Sequence, residues 1–215
     1  MNRKHLQLAL LIISSLLLAL IIAYVYQNTR VDSQNQDLRS AGIIELPKAR
    51  PLPAVDLLYS EGGSFSTSQF KDKWYLVYFG YTFCPDICPT SLAQMLQIRQ
   101  QLSPQALEQV EFVMISVDPL RDTPEQLRAY LNFFHPEFKG FSGELDDIQK
   151  LSSALGIPFI PGDSSQPGYT VDHSGNLAII NPEGKHFGFI QAPFKIDAVA
   201  AQLNLLVPAA ELPPQ

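Results

Sequence analysis

The chain has 215 residues, a formal net charge of -6, 46% hydrophobic and 17% charged residues, and 13 phenylalanines. That apolar content excludes a disordered chain and suits one packed domain of ordinary size. The acidic balance, without any Lys/Arg run, excludes nucleic acid as a ligand, and two cysteines exclude a multi-disulfide scaffold.

Residues 1–5 carry Arg3, Lys4 and His5, and residues 6–26 are apolar apart from Gln7, Ser14 and Ser15. A helix of that length rises about 30 Å, the thickness of a bilayer's hydrocarbon core. The run exceeds the apolar stretch of a cleaved signal peptide and ends in Tyr24, Val25 and Tyr26 rather than a small-x-small site, so an uncleaved anchor is predicted. Tyr24 and Tyr26 suit the membrane interface, and the basic residues ahead of the span place residues 1–5 in the cytoplasm. The expectation is a single-pass protein of the inner (cytoplasmic) membrane with its globular part in the periplasm.

Residues 27–50 are polar and lead into Pro47, Pro51 and Pro53, a pattern that predicts a flexible tether. The domain is then expected over residues 51–207, followed by a disordered, proline-containing tail at residues 208–215. Within the domain, the continuous apolar runs at residues 74–79 and 111–117 predict two central strands buried on both faces. Residues 90–102 and 145–155 carry apolar positions at helical spacing, the second stopped by Gly156. Between them, Thr123, Pro124 and Gln126 form the signature of a capped helix start. Residues 169–171, 178–180 and 187–190 read as short strands separated by turn signals, and residues 195–206 as a closing helix. This order predicts an α/β domain of thioredoxin-like fold, a central sheet flanked by helices, with an N-terminal transmembrane helix.

Cys84-Pro85-Asp86-Ile87-Cys88-Pro89 follows the first central strand and opens a helix. Pro89 suits a first helical position, which makes Cys88 the expected N-cap, at the positive end of the helix dipole where a thiol pKa falls. The residues alone leave three readings of the pair open: a structural disulfide, a dithiol oxidoreductase, or a metal site of soft thiolates suited to Cu(I). The last needs a third ligand. Among the histidines, His5 flanks the apolar span, His135 stands at a helix end before Pro136, and His186 reads as a solvated strand residue. His173 differs because it sits in a polar corner, Val171-Asp172-His173-Ser174-Gly175, of the kind that presents ligands.

Three stretches, YFGYTFCPDICPT from Tyr78, SVDPLRDTPEQL from Ser116 and YTVDHSGNLAIINPEGK from Tyr169, resemble the signatures of the Sco/SenC family of membrane-anchored copper chaperones for cytochrome c oxidase assembly. The likeness spans residues 55–206. It implies that Cys84 and Cys88 are copper thiolates and His173 the third ligand, for Cu(I) or Cu(II). It implies delivery to the copper-binding subunit of cytochrome c oxidase, with an upstream copper donor and a thioredoxin-like reductant as further partners. The same resemblance permits a thiol-disulfide oxidoreductase acting on that subunit's cysteines, or a copper or redox sensor. Asp118, Arg121 and Asp122 match the family's loop after the second central strand. Phe83 departs from it, standing where many relatives have histidine.

Overall fold

A computed structural model of the chain describes Ile13, residues 15–26 and residues 36–207. The predicted anchor is helical at Ile13 and over residues 15–26, with exposed side chains; its other residues, and the tail at 208–215, lie outside the described residues. Among the described residues no helix is long and apolar enough to cross a membrane.

The strands run β1 (Ile43–Pro51), β2 (Asp56–Tyr59), β3 (Ser64–Ser66), β4 (Trp74–Gly80), β5 (Val110–Ser116), β6 (Lys139–Ser142), β7 (Leu177–Ile180) and β8 (Lys185–Ile190). Five helices follow β4: α1 (Ile87–Gln100), α2 (Pro104–Gln109), α3 (Pro124–Phe134), α4 (Leu145–Ala154) and α5 (Ile196–Leu206). All eight strands share one sheet in the order β1-β8-β7-β4-β5-β6-β2-β3. Its centre is parallel, β4 with β5 and β5 with β6, and both wings are antiparallel. This is the mixed α/β arrangement that the sequence predicts.

Each central element has a local cause. β4 and β5 are buried almost throughout, as their unbroken apolar sequences require for strands covered on both faces. β8 instead alternates half-buried and buried positions, the signature of a strand with one sheltered face. At α3 the capping box is present: Thr123 Oγ1 accepts from the Gln126 N–H at 3.3 Å, and Gln126 Oε1 accepts from the Thr123 N–H at 3.4 Å. α4 ends where Gly156 takes φ 70°, the left-handed conformation that terminates helices.

Several expectations are corrected. Residues 43–50 are no tether: they form most of β1, which pairs antiparallel with β8 from Ile43 opposite Ile190 to Pro51 opposite Lys185. Leu38, Ala41 and Ile43 are buried in the core, so the folded unit begins ahead of residue 51. The physical reason is that the backbone at both ends of the stretch pairs with β8 and Ile43 is buried, which outweighs the spacing of its prolines. Residues 27–35 of the expected tether lie outside the described residues. Residues 169–171 form no strand; a single bridge pairs Ile160 with Asp172. His186 is buried rather than solvated, because β8 turns it inward, where a ring nitrogen donates to the Gly188 carbonyl at 3.0 Å.

Candidate metal centre

β4 and β5 end side by side, with Gly80 opposite Ser116, and the chemistry-bearing residues gather beyond this carboxyl edge, the position that open α/β sheets use for ligands. The chain leaves β4 through Tyr81 and Thr82, turns at Cys84 and enters α1 at Ile87. Asp86, not Cys88, is the N-cap, and Cys88 lies inside the first turn. The Cys88 N–H therefore reaches back to Cys84 Sγ at 3.4 Å, so the sulfur served by the helix N-terminus is that of Cys84.

Cys88 Sγ is fully buried and accepts from the Tyr81 N–H at 3.4 Å. Burial pushes the Cys88 thiol pKa well above its ordinary range, so the expected lowering by the helix dipole is overturned at this residue. Desolvation of a thiolate in a pocket walled by Tyr78 outweighs the fields of nearby N–H groups. Gly80 makes this possible. A Cβ there would stand 2.5 Å from the Tyr78 ring and 2.9 Å from Cys88 Sγ.

His173 comes from the opposite side, on the segment that precedes β7. Its Nε2 lies 3.3 Å from Cys88 Sγ, and its Nδ1 donates to the Ser174 carbonyl at 3.2 Å. A hydrogen on Nδ1, as that bond requires, leaves the Nε2 lone pair free toward Cys88 Sγ, the orientation a metal ligand needs. Burial lowers the His173 pKa, which favours the neutral, ligating form. The rings of Tyr78 and Tyr81 meet the imidazole edge-on at 5.9 and 5.6 Å and restrict its rotation.

One ligand atom from each of Cys84, Cys88 and His173 lies within 4.8 Å of the others, and both cysteines are free thiols. The three residues singled out in the sequence thus converge, and a structural disulfide is not present. Two thiolates and an imidazole are a donor set for Cu(I) or for zinc. His135 stays apart, its N–H bonded to the Leu131 carbonyl at the end of α3 and its Nδ1 accepting from the Glu137 N–H.

Sequence reasoning missed Gly80, Tyr78 and Tyr81. A glycine closing an otherwise apolar strand run was the available signal for Gly80, since such a residue marks close approach of another group. The two tyrosines are indistinguishable in sequence from ordinary core residues.

Comparison with known proteins gives a family and a fold. A family model described as SCO1/SenC matches residues 49–207. A Stutzerimonas stutzeri protein named for copper binding is 40% identical over 183 residues, covering 85% of this chain and 89% of that one. The solution structure of apo Sco1 from Thermus thermophilus is similar with a TM-score of 0.67 and 33% identity, over 76% of this chain and 95% of that one. Yeast Sco1 with copper bound gives a TM-score of 0.65 and 26% identity, over 77% and 91% of the two chains.

Proposed function

The chain belongs to the SCO1/SenC family, and on that premise we propose that it is a copper metallochaperone that binds one copper ion through Cys84, Cys88 and His173. The observation that carries this reading is the convergence of two free thiols and an imidazole within 4.8 Å at the sheet's carboxyl edge. The acceptor is the copper-binding subunit of a cytochrome c oxidase under assembly, and the domain stands in the periplasm on an anchor formed by residues 6–26. The solved relatives with bound copper support the choice of metal.

The donor set accounts for transfer. Copper is cargo here. Binding takes the cysteines as thiolates, which releases the proton of the buried Cys88, and leaves His173 neutral and oriented. Three protein donors leave Cu(I) open to a further thiolate, so an acceptor sulfur enters before a donor sulfur departs and no free ion is released. Cys84 lies at the rim and Cys88 beneath it, so Cys84 is the first donor that an acceptor's sulfur can replace.

A second reading, thiol-disulfide exchange with the acceptor's cysteines, is supported by the proximity of the two thiols. Oxidation to a disulfide would remove both sulfur ligands, so loading needs a reductant, for which a thioredoxin-like partner is suited.

His173→Ala separates the readings. We expect copper affinity, measured by competition with a chromophoric chelator, to fall by about 100-fold or more, at the upper end of what ligand-shell changes cost or beyond it. Dithiol exchange should continue at the parental rate. Copper binding at parental affinity would overturn the ligand set. Mixing copper-loaded protein with the apo acceptor domain tests delivery: movement of the metal supports it, and retention by the donor overturns it.

A further inference from the structure

The loop from Asp118 to Asp122, between β5 and α3, touches both segments that carry the metal donors. On the cysteine side, the fully buried Asp122 carboxylate accepts from the Thr82 N–H at 3.0 Å and from Thr82 Oγ1 at 2.6 Å, two residues ahead of Cys84. On the histidine side, the Tyr169 hydroxyl, four residues ahead of His173, donates to Asp118 Oδ1 at 2.6 Å. Arg121 lies between the two. It pairs with Asp118, and its guanidinium carbon stands 3.6 Å from the Tyr169 ring centroid and 5.0 Å from that of Phe83.

The loop is itself fastened to the sheet. Ser116, the last residue of β5, donates its hydroxyl to Asp122 Oδ2 at 2.6 Å and accepts from the Asp118 N–H at 3.1 Å. Its neighbours need that anchorage. Between Gly156 and Leu177 the histidine segment has one bridge, Ile160 with Asp172, and no strand ladder. The cysteine turn likewise has no ladder between Gly80 and Ile87. Segments of this kind open locally unless side chains hold them.

We propose that Asp118, Arg121 and Asp122 are positioning residues of the metal centre, a clamp that holds the cysteine turn and the histidine segment in mutual register. The Phe83 ring fits this role, since together with Tyr169 and Tyr81 it walls the Arg121 guanidinium with aromatic faces. The inference rests on the copper reading for its metal arm, while its thiol arm requires no metal.

The test uses the purified metal-free protein, the variants Arg121→Ala, Arg121→Lys and Tyr169→Phe, and three readouts: maleimide modification of the cysteines, copper affinity by chelator competition, and the urea midpoint. Arg121→Ala should accelerate thiol modification and weaken copper binding, each by about tenfold, the lower end of the range for residues that orient ligands. Its urea midpoint should move too little to explain either change. Arg121→Lys, which keeps the charge but loses the planar stack, should fall between Arg121→Ala and the parent. Tyr169→Phe removes a single oxygen from a half-buried residue and should accelerate thiol modification on its own; it carries the test if Arg121→Ala does not fold. Thiol rates within twofold of the parent in every folded variant would overturn the clamp, on the scale of local-opening free energies. Faster modification in a protein that binds no copper would sustain the clamp and overturn the copper reading instead.

Discussion

At the scale of single residues, the metal centre depends as much on what is missing as on what is present. Gly80 supplies no side chain, and the vacated volume holds both the Tyr78 ring and the Cys88 sulfur. Gly80→Ala is expected to cost about 1–3 kcal/mol through overpacking, read as a lower urea midpoint, and to weaken copper binding because Cys88 must shift. An unchanged midpoint together with unchanged affinity would show that the strand end relaxes freely. The three candidate donors were legible in the sequence, since cysteines and a loop histidine declare their chemistry by type. Their environment was not. The rise in the Cys88 pKa comes from burial, and nothing within the Cys84–Cys88 stretch states how deeply the following helix will sink its first turn.

At the scale of elements, legibility follows from how much of an element's stability is local. β4, β5 and α3 were readable because apolar runs and a capping box act within a few residues. β6 and β3, with four and three residues, are too short to show periodicity and exist only as neighbours of other strands. β1 was misread for a related reason: Pro47 and Pro51 weaken its propensity, while its partner β8 lies far along the chain. The difference between a strand and a tether is measurable. Ile43 is fully buried at the start of β1, so Ile43→Ala should lower stability by about 2–5 kcal/mol, followed by urea unfolding. A flexible tether would give no change.

At the scale of the whole molecule, burial of titratable groups sets a pH window for the metal-free protein. Burial is the main cause of lowered pKa values at His135, His173 and His186. As pH falls below the ordinary histidine range, about 6.5, the unfolded chain takes up these protons before the folded one, and stability declines. At the alkaline end the Cys88 thiol and the Tyr78 phenol are raised by burial, so the unfolded chain ionises first as pH rises above about 9, and stability declines again. Urea midpoints measured across the range should therefore form a plateau between these limits. Asp122 opposes the acid limb, because its carboxyl is raised by burial and the folded state binds that proton first. A midpoint that stayed constant from neutral pH to pH 5 would contradict the lowered pKa values of the three histidines.

The outer margin of the sheet has its own consequence. β1 is a terminal strand, with β8 on one side and no strand among the described residues on the other. Its register slips between Glu45 and Arg50, and Pro47, which has no N–H to offer, lies within that interval. An open strand edge is a template on which neighbouring molecules polymerise, and prolines and irregular register are the usual deterrents. The proline spacing that disguises β1 as a linker thus guards the molecule against edge-to-edge aggregation.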